Sequence, residues 1–249
     1  MNTPTTRWTR YASPATFYPL AGRLIPVFSW LAVVFCAAGL WVGFFVAPPD
    51  AQQGEGYRII FLHVPASWMS MFIYLVMAFW SAICLGFNTR LSGMMAAALA
   101  PTGALFTALA LITGSLWGEP MWGTWWVWDA RLTSELILLF LYLGVMALRS
   151  AIDDPRRADR ASSVLALVGV VNIPIIYFSV QWWNTLHQGA SISFRHAPSM
   201  AMTMFAGILL MSVAAWMYAI AVALARVRTI ILEREGHAEW VAQLEEITA

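Results

Sequence analysis

The sequence predicts an all-α membrane protein, a six-transmembrane-helix bundle with both termini cytoplasmic and a tryptophan-rich outward loop between helices 3 and 4. Three observations carry this. Of 249 residues, 60% are hydrophobic and only 11% are charged, and mean hydropathy is +0.69; no soluble domain of this size needs so much apolar material. The apolar residues fall into six runs near the length a bilayer core demands of a helix, about 20 residues. Finally, all 14 basic residues are arginine, and they are sorted by side. Arg7, Arg10, Arg23, Arg90, Arg149, Arg156, Arg157, Arg160, Arg226, Arg228 and Arg234 flank one side, against Arg58, Arg131 and Arg195 on the other. The positive-inside rule puts the arginine-rich side in the cytoplasm.

Taken in order, the spans read as 24–46, 65–87, 94–116, 132–148, 162–182 and 200–227. Residues 1–23 form a cytoplasmic N-terminal segment. The first span starts too late and runs too long for a cleaved signal peptide. The fourth span is the shortest and carries Glu135, which is costly in lipid unless paired. Arg131, four residues earlier on the same helical face, is its expected partner. In the fifth span, Asn172 and Pro174 predict a kink. Residues 229–249 form a cytoplasmic tail with five acids, and the whole of 1–249 reads as one domain.

Absent residues exclude several chemistries. Without lysine there is no P-loop ATPase and no Schiff base. Cys36 and Cys84 stand alone within spans, so neither a Cys-x-x-Cys redox pair nor a covalent c-type haem site is present. No internal repeat marks an inverted-repeat transporter, and no basic, aromatic-interleaved face offers nucleic acid a surface.

The chemistry gathers between spans three and four. Residues 117–131 hold five of the 14 tryptophans: Trp117, Trp122, Trp125, Trp126 and Trp128. Gly118 and Gly123 leave room for the backbone, and Asp129 and Arg131 supply one acid and one base. A membrane aromatic belt explains Trp41, Trp80, Trp182, Trp183 and Trp216. It does not explain four indoles crowded into seven positions, because a belt spreads them among helix ends. That crowding suits a flat, apolar, anionic ligand.

Histidine is scarce, with four in all. His237 belongs to the charged tail, whereas His63, His187 and His196 fall on the outer side. His63 precedes Pro65 at the start of span two, and His187 follows span five beside Trp182 and Trp183. Two imidazoles at the mouth of a bundle beside an aromatic shelf meet the needs of a haem. Iron takes a nitrogen on each face, the macrocycle takes apolar contact, and the propionates take arginine. Arg58 and Arg131 are candidate propionate partners, with Arg195 less clear. His196, which lacks indole neighbours, is a third candidate ligand. Asp129, at the start of span four, reads first as that helix's N-cap.

The run from Trp122 to Thr133, WGTWWVWDARLT, resembles the "WWD" signature of haem-handling membrane proteins in cytochrome c biogenesis. Length, span number and the contexts FLHVPASW around His63 and WWNTLHQG around His187 resemble the cytochrome c maturation protein C family. The likeness covers essentially the whole chain. It implies a multi-pass protein of the bacterial inner membrane that presents haem b at the periplasmic face. The haem passes to a membrane-anchored chaperone, cytochrome c maturation protein E, whose own histidine bonds to a vinyl group. A small single-span protein D and an ABC-type pair, proteins A and B, are the implied further partners, with membrane lipid around them. Residue by residue, the resemblance makes His63 and His187 the axial ligands. Trp117, Trp122, Gly123, Trp125, Trp126 and Trp128 become the haem platform, with Asp129, Arg58 and Arg131 beside it. The chain then acts as a haem-presenting factor, with ATP used by a partner.

Two other classes compete. A membrane subunit exporting haem or a small solute needs polar residues lining its spans, and only Glu135 and Asn172 offer themselves. An electron carrier normally has histidines facing one another inside the bundle, whereas here every histidine is expected outside the spans.

Overall fold

The computed structural model describes residues 9–187, 192 and 198–248. Among these residues regular structure is helical, apart from one bridge between Asp50 and Gly54. After a 3-10 turn, Thr9–Ala12, helix α1 (Pro14–Trp41) opens with a proline in its first turn and continues into a π-helical turn, Val42–Val46. A second 3-10 turn, Glu55–Ile59, leads into α2 (Ile60–Phe87). Helix α3 (Arg90–Trp122) stops at Gly123, whose φ of 72° is open to glycine at little cost. Helices α4 (Ala130–Ser150) and α5 (Pro155–Gly169) start at aspartate caps, with Asp129 accepting from the Leu132 N–H at 2.8 Å and Asp154 from Arg157 at 2.7 Å. Then come α6 (Asn172–Trp182), α7 (Met202–Glu235) and α8 (Glu239–Thr248).

Six units are long and apolar enough to cross a membrane: Pro14–Val46, Glu55–Phe87, Arg90–Trp122, Ala130–Ser150, Pro155–Trp182 and Met202–Glu235. The chain is a multi-pass membrane protein. All six expected spans are present, and most are longer than their apolar runs. Two of the extensions matter for the site. Helix α2 begins before Pro65, so His63 lies in its first turn and inside the second span, not outside it. Helix α3 likewise runs through Trp117 to Trp122, leaving only Trp125, Trp126 and Trp128 in the connection proper. Aromatic residues serve a helix at the interface as well as they serve a loop, so composition did not mark that boundary.

The fifth crossing is made in two pieces. Helices α5 and α6 meet at Val170 and Val171, and the buried Asn172 amide donates to the Ser134 carbonyl at 2.9 Å. The predicted kink is thus a break, held to α4 by a side chain.

Helix α1 lies along α7, and α2 lies along α3. The central core is built on Tyr74, Met77, Leu138, Tyr142 and Ile176, all fully buried. Its rings need glycine opposite them. A Cβ at Gly103 would overlap Tyr142, and one at Gly169 would overlap the Tyr74 hydroxyl. Glu135 is buried here and within reach of the Arg131 charge, but its hydrogen bond is to another residue. The Ser70 hydroxyl donates to Glu135 Oε1 at 2.7 Å, and the Tyr142 hydroxyl donates to the Ser70 carbonyl at 2.8 Å. Arg131 instead donates to the Ile176 carbonyl of α6 at 2.8 Å. Helix α2 brings Ser70 against Glu135, and α6 brings the Ile176 carbonyl, which also accepts from Ser179, against Arg131.

Candidate functional site

Because the spans alternate in direction, the start of α2, the end of α3, the start of α4 and the end of α6 reach the same end of the bundle. This brings together His63, Trp117, Trp122, Asp129, Arg131 and His187.

His63 faces α3. Its Nδ1 lies 3.1 Å from the Thr113 hydroxyl, and a Cβ on Gly114 would press against its Cε1 at 3.0 Å. The Thr113 hydroxyl has one proton, and that proton goes to the Leu109 carbonyl at 2.6 Å. Its oxygen is therefore left to accept from His63 Nδ1–H. This tautomer leaves the Nε2 lone pair free, which is the form in which imidazole ligates a metal. The ring also meets Trp117 edge-on, with centroids 5.7 Å apart, and the Trp117 indole N–H donates to Gln53 at 2.9 Å.

His187 follows α6. Its backbone N–H donates to the Thr185 hydroxyl at 2.9 Å, and its ring lies 5.2 Å from Trp122, tilted. Nδ1 stands 3.5 Å from Asp129 Oδ2, within ion-pair range but long for a hydrogen bond, and among the described residues neither atom has a hydrogen-bond partner. Asp129 thus has two jobs, capping α4 with one oxygen and facing His187 with the other. A carboxylate behind Nδ1 again favours the tautomer whose Nε2 carries the lone pair. Burial holds the His187 pKa below the usual imidazole value; the Arg131 charge pushes the same way and Asp129 opposes both. The ring is therefore held neutral. His63 lies close enough to Arg131 and to His187 to feel a charge on either, and His187 feels Arg131.

The indoles divide into two groups. Trp117 and Trp122 back the two imidazoles. Trp125 and Trp128 stand out from the surface, 57% and 77% exposed, and Trp126 packs edge-on against Trp128 at 5.4 Å. The Trp126 N–H is buried without a partner, although Thr124 fixes its backbone by donating to the Trp126 carbonyl at 3.0 Å. Gly118 lets Trp122 and the Thr124 carbonyl close in.

Arg58 sits apart from this group. Its guanidinium bonds Glu55 and the Gly43 and Ala47 carbonyls, tying the π-helical turn to the start of α2. Arg195 and His196 lie outside the described residues. The sequence reading missed Thr113 and Gly114. Their one signal was helical spacing, since Thr113 is one turn before Trp117 on the same face.

Two imidazoles, each with a protein oxygen facing Nδ1, beside exposed indoles and a half-buried arginine, fit the donor set of a haem pocket. Among the described residues the buried Trp126 indole N–H at the same spot has no hydrogen-bond partner.

Residues 7–242 match the family of heme exporter protein C. The chain belongs to that family. A heme exporter protein C of Escherichia coli (strain K12) is 49% identical over 238 residues, covering 94% of each chain. Its counterpart in Haemophilus influenzae is 45% identical over 234 residues, covering 94% of this chain and 95% of its own. A ccmC-like mitochondrial cytochrome c biosynthesis protein of Marchantia polymorpha is 48% identical over 170 residues, 67% of this chain and 72% of its own. The family's match runs through His63, the tryptophan segment and His187, so it covers every element that builds the site.

Proposed function

We propose that the chain handles haem in cytochrome c biogenesis, holding haem b at the outer face of a bacterial inner membrane and passing it to a membrane-anchored haem chaperone. The observation that carries this is the pair His63 and His187. His63 comes from the first turn of α2 and His187 from the segment after α6, each with Nδ1 turned to a protein oxygen. Kinship with proteins called heme exporters supports the cargo. The arginine asymmetry supports an outward-facing site and cytoplasmic termini.

In this reading His63 and His187 bind the iron. Trp122, Trp125, Trp126 and Trp128 lie against the macrocycle, with Trp117 and Gly123 shaping the shelf. Arg131, which has spent one of its five N–H groups on Ile176, has donors left for a propionate. Arg58 contributes from further off, through the loop it ties down. Redox and bond-forming chemistry belong to the haem and the chaperone. The residues of this chain position the ring, exclude water from one face and keep their imidazoles neutral. Proteins A, B and D of the maturation system are the further partners in this reading, with ATP turned over by the ABC-type pair.

The test is spectroscopic. Purified from cells that make the chaperone, the chain shows a bis-imidazole haem spectrum, and His63→Ala/His187→Ala abolishes it along with haem transfer. Trp122→Leu/Trp125→Leu/Trp126→Leu keeps the surface apolar yet lowers the haem yield. A wild-type spectrum and transfer in the histidine variant would overturn the assignment.

A further inference from the structure

At the opposite end of the bundle a second cleft opens, of about 440 Å³. The end of α2, the starts of α3 and α5 and the end of α7 enclose it. Arg90, Arg156, Arg160 and Arg234 line it together with Asp154, Asp159, Glu233 and Glu235, over a floor that includes Cys84 and Met94.

Across this lining four arginines face four carboxylates, and Arg149, bonded to Asp159 from beside the cleft, adds a fifth guanidinium. Asp159, 6% exposed in its side chain, accepts from Arg149 at 2.6 Å and from both ends of Arg234 at 2.8 and 3.0 Å. Two guanidiniums thus share one carboxylate, leaving a positive charge in a nearly buried group with most of its N–H donors unspent. Arg156 and Arg160 stand four residues apart on one face of α5. Among the described residues they have neither a hydrogen bond nor an ion pair. Asp154 is used as the α5 cap, and Glu235 accepts from Trp240 at 3.1 Å and lies 3.8 Å from Arg90.

We infer that this cleft is a binding site for the phosphodiester headgroup of an anionic membrane lipid. Three features select a lipid over other anions. The cleft lies where spans end, at the headgroup level of a bilayer. It sets Arg156 and Arg160 beside an apolar floor, as a headgroup continuing into its glycerol and chains requires. Basic pockets between membrane helices on the arginine-rich side are the known form of such sites. Arginine forks suit phosphate oxygens bidentately. The site is independent of haem and stands or falls separately from it.

The experiment uses the full chain in detergent, supplied with phosphatidylglycerol, phosphatidylcholine or inorganic phosphate, and reads bound lipid by native mass spectrometry and stability by thermal unfolding. Phosphatidylglycerol is expected to be retained in preference to phosphatidylcholine and to raise the unfolding temperature. Arg156→Gln/Arg160→Gln weakens that retention by about fivefold per arginine, and Arg160→Gln alone shows one such step if the pair does not express. Arg157→Gln, which removes an equal charge outside the cleft lining, keeps wild-type retention. Equal retention of the two lipids overturns the inference, as does equal loss in Arg157→Gln. It also falls if inorganic phosphate alone gives the full stabilisation with phosphatidylglycerol adding nothing, or if a purified partner protein seals the cleft and expels the lipid.

Discussion

Thr113 does two things with one oxygen. It gives its proton to Leu109 and takes one from His63, so the hydroxyl sets the tautomer of an imidazole 50 residues away in sequence. Thr113→Val keeps the shape and removes the acceptor. Haem affinity is expected to fall roughly tenfold or more, as loss of a partner behind a metal-ligating histidine typically does, and Thr113→Ser restores it; titration of haem into the purified variants checks this. His187 makes a second prediction. Its lowered pKa means that, as pH falls through the usual imidazole value of about 6.5, the unfolded chain takes up a proton before the folded one does. Folded stability is therefore lost with falling pH across that window, while the folded ring stays neutral and able to ligate. The haem spectrum should persist below pH 6.5 and fade only at lower pH. Asp129→Asn removes the charge that favours protonation, and so shifts the fading lower still. A midpoint at 6.5 in both proteins would refute the account.

At the scale of elements, close approach is set by glycines more than by the large residues they face. Gly103 on α3 and Gly169 at the end of α5 admit the rings of Tyr142 and Tyr74, which meet edge-on with centroids 5.0 Å apart. Alanine at either position forces a buried ring to move, at a cost of about 1–3 kcal/mol, read as a lower unfolding temperature in detergent. Gly86, with open space around it, should tolerate alanine and serves as the control. The span boundaries were the least legible part of the sequence. His63 and Trp117 lie inside helices because apolar, aromatic and small residues continue a helix past the hydrocarbon edge as readily as they end one. Arg131 and Glu135 feel each other's charge without a direct bond, for a different reason. Spacing along α4 names neighbours on one helix, but Ser70 and Ile176 arrive from others.

For the whole molecule, six crossings were readable from hydropathy alone, because burial in lipid leaves no other way to satisfy a backbone this apolar. The meeting of His63 with the tryptophans was legible only as topology, since alternate ends of spans must share a side. Orientation is a prediction at this scale. Phosphatase fused after Gly123 should be active and phosphatase fused after Ser150 silent, as expected for outward and cytoplasmic positions; the reverse pattern would invert the molecule. The broken fifth crossing carries a last consequence. His187 lies past the end of α6, an eleven-residue half-helix whose hold on α4 includes two side-chain hydrogen bonds, from Arg131 and Asn172. A neutral bond of this kind is worth about 1 kcal/mol and one from a charged group about 1.5–3, and α6 also buries Ile173 and Ile176. In the proposed clamp one jaw thus follows a short, interrupted crossing and the other sits in a continuous helix, an asymmetry that suits a carrier that has to let go.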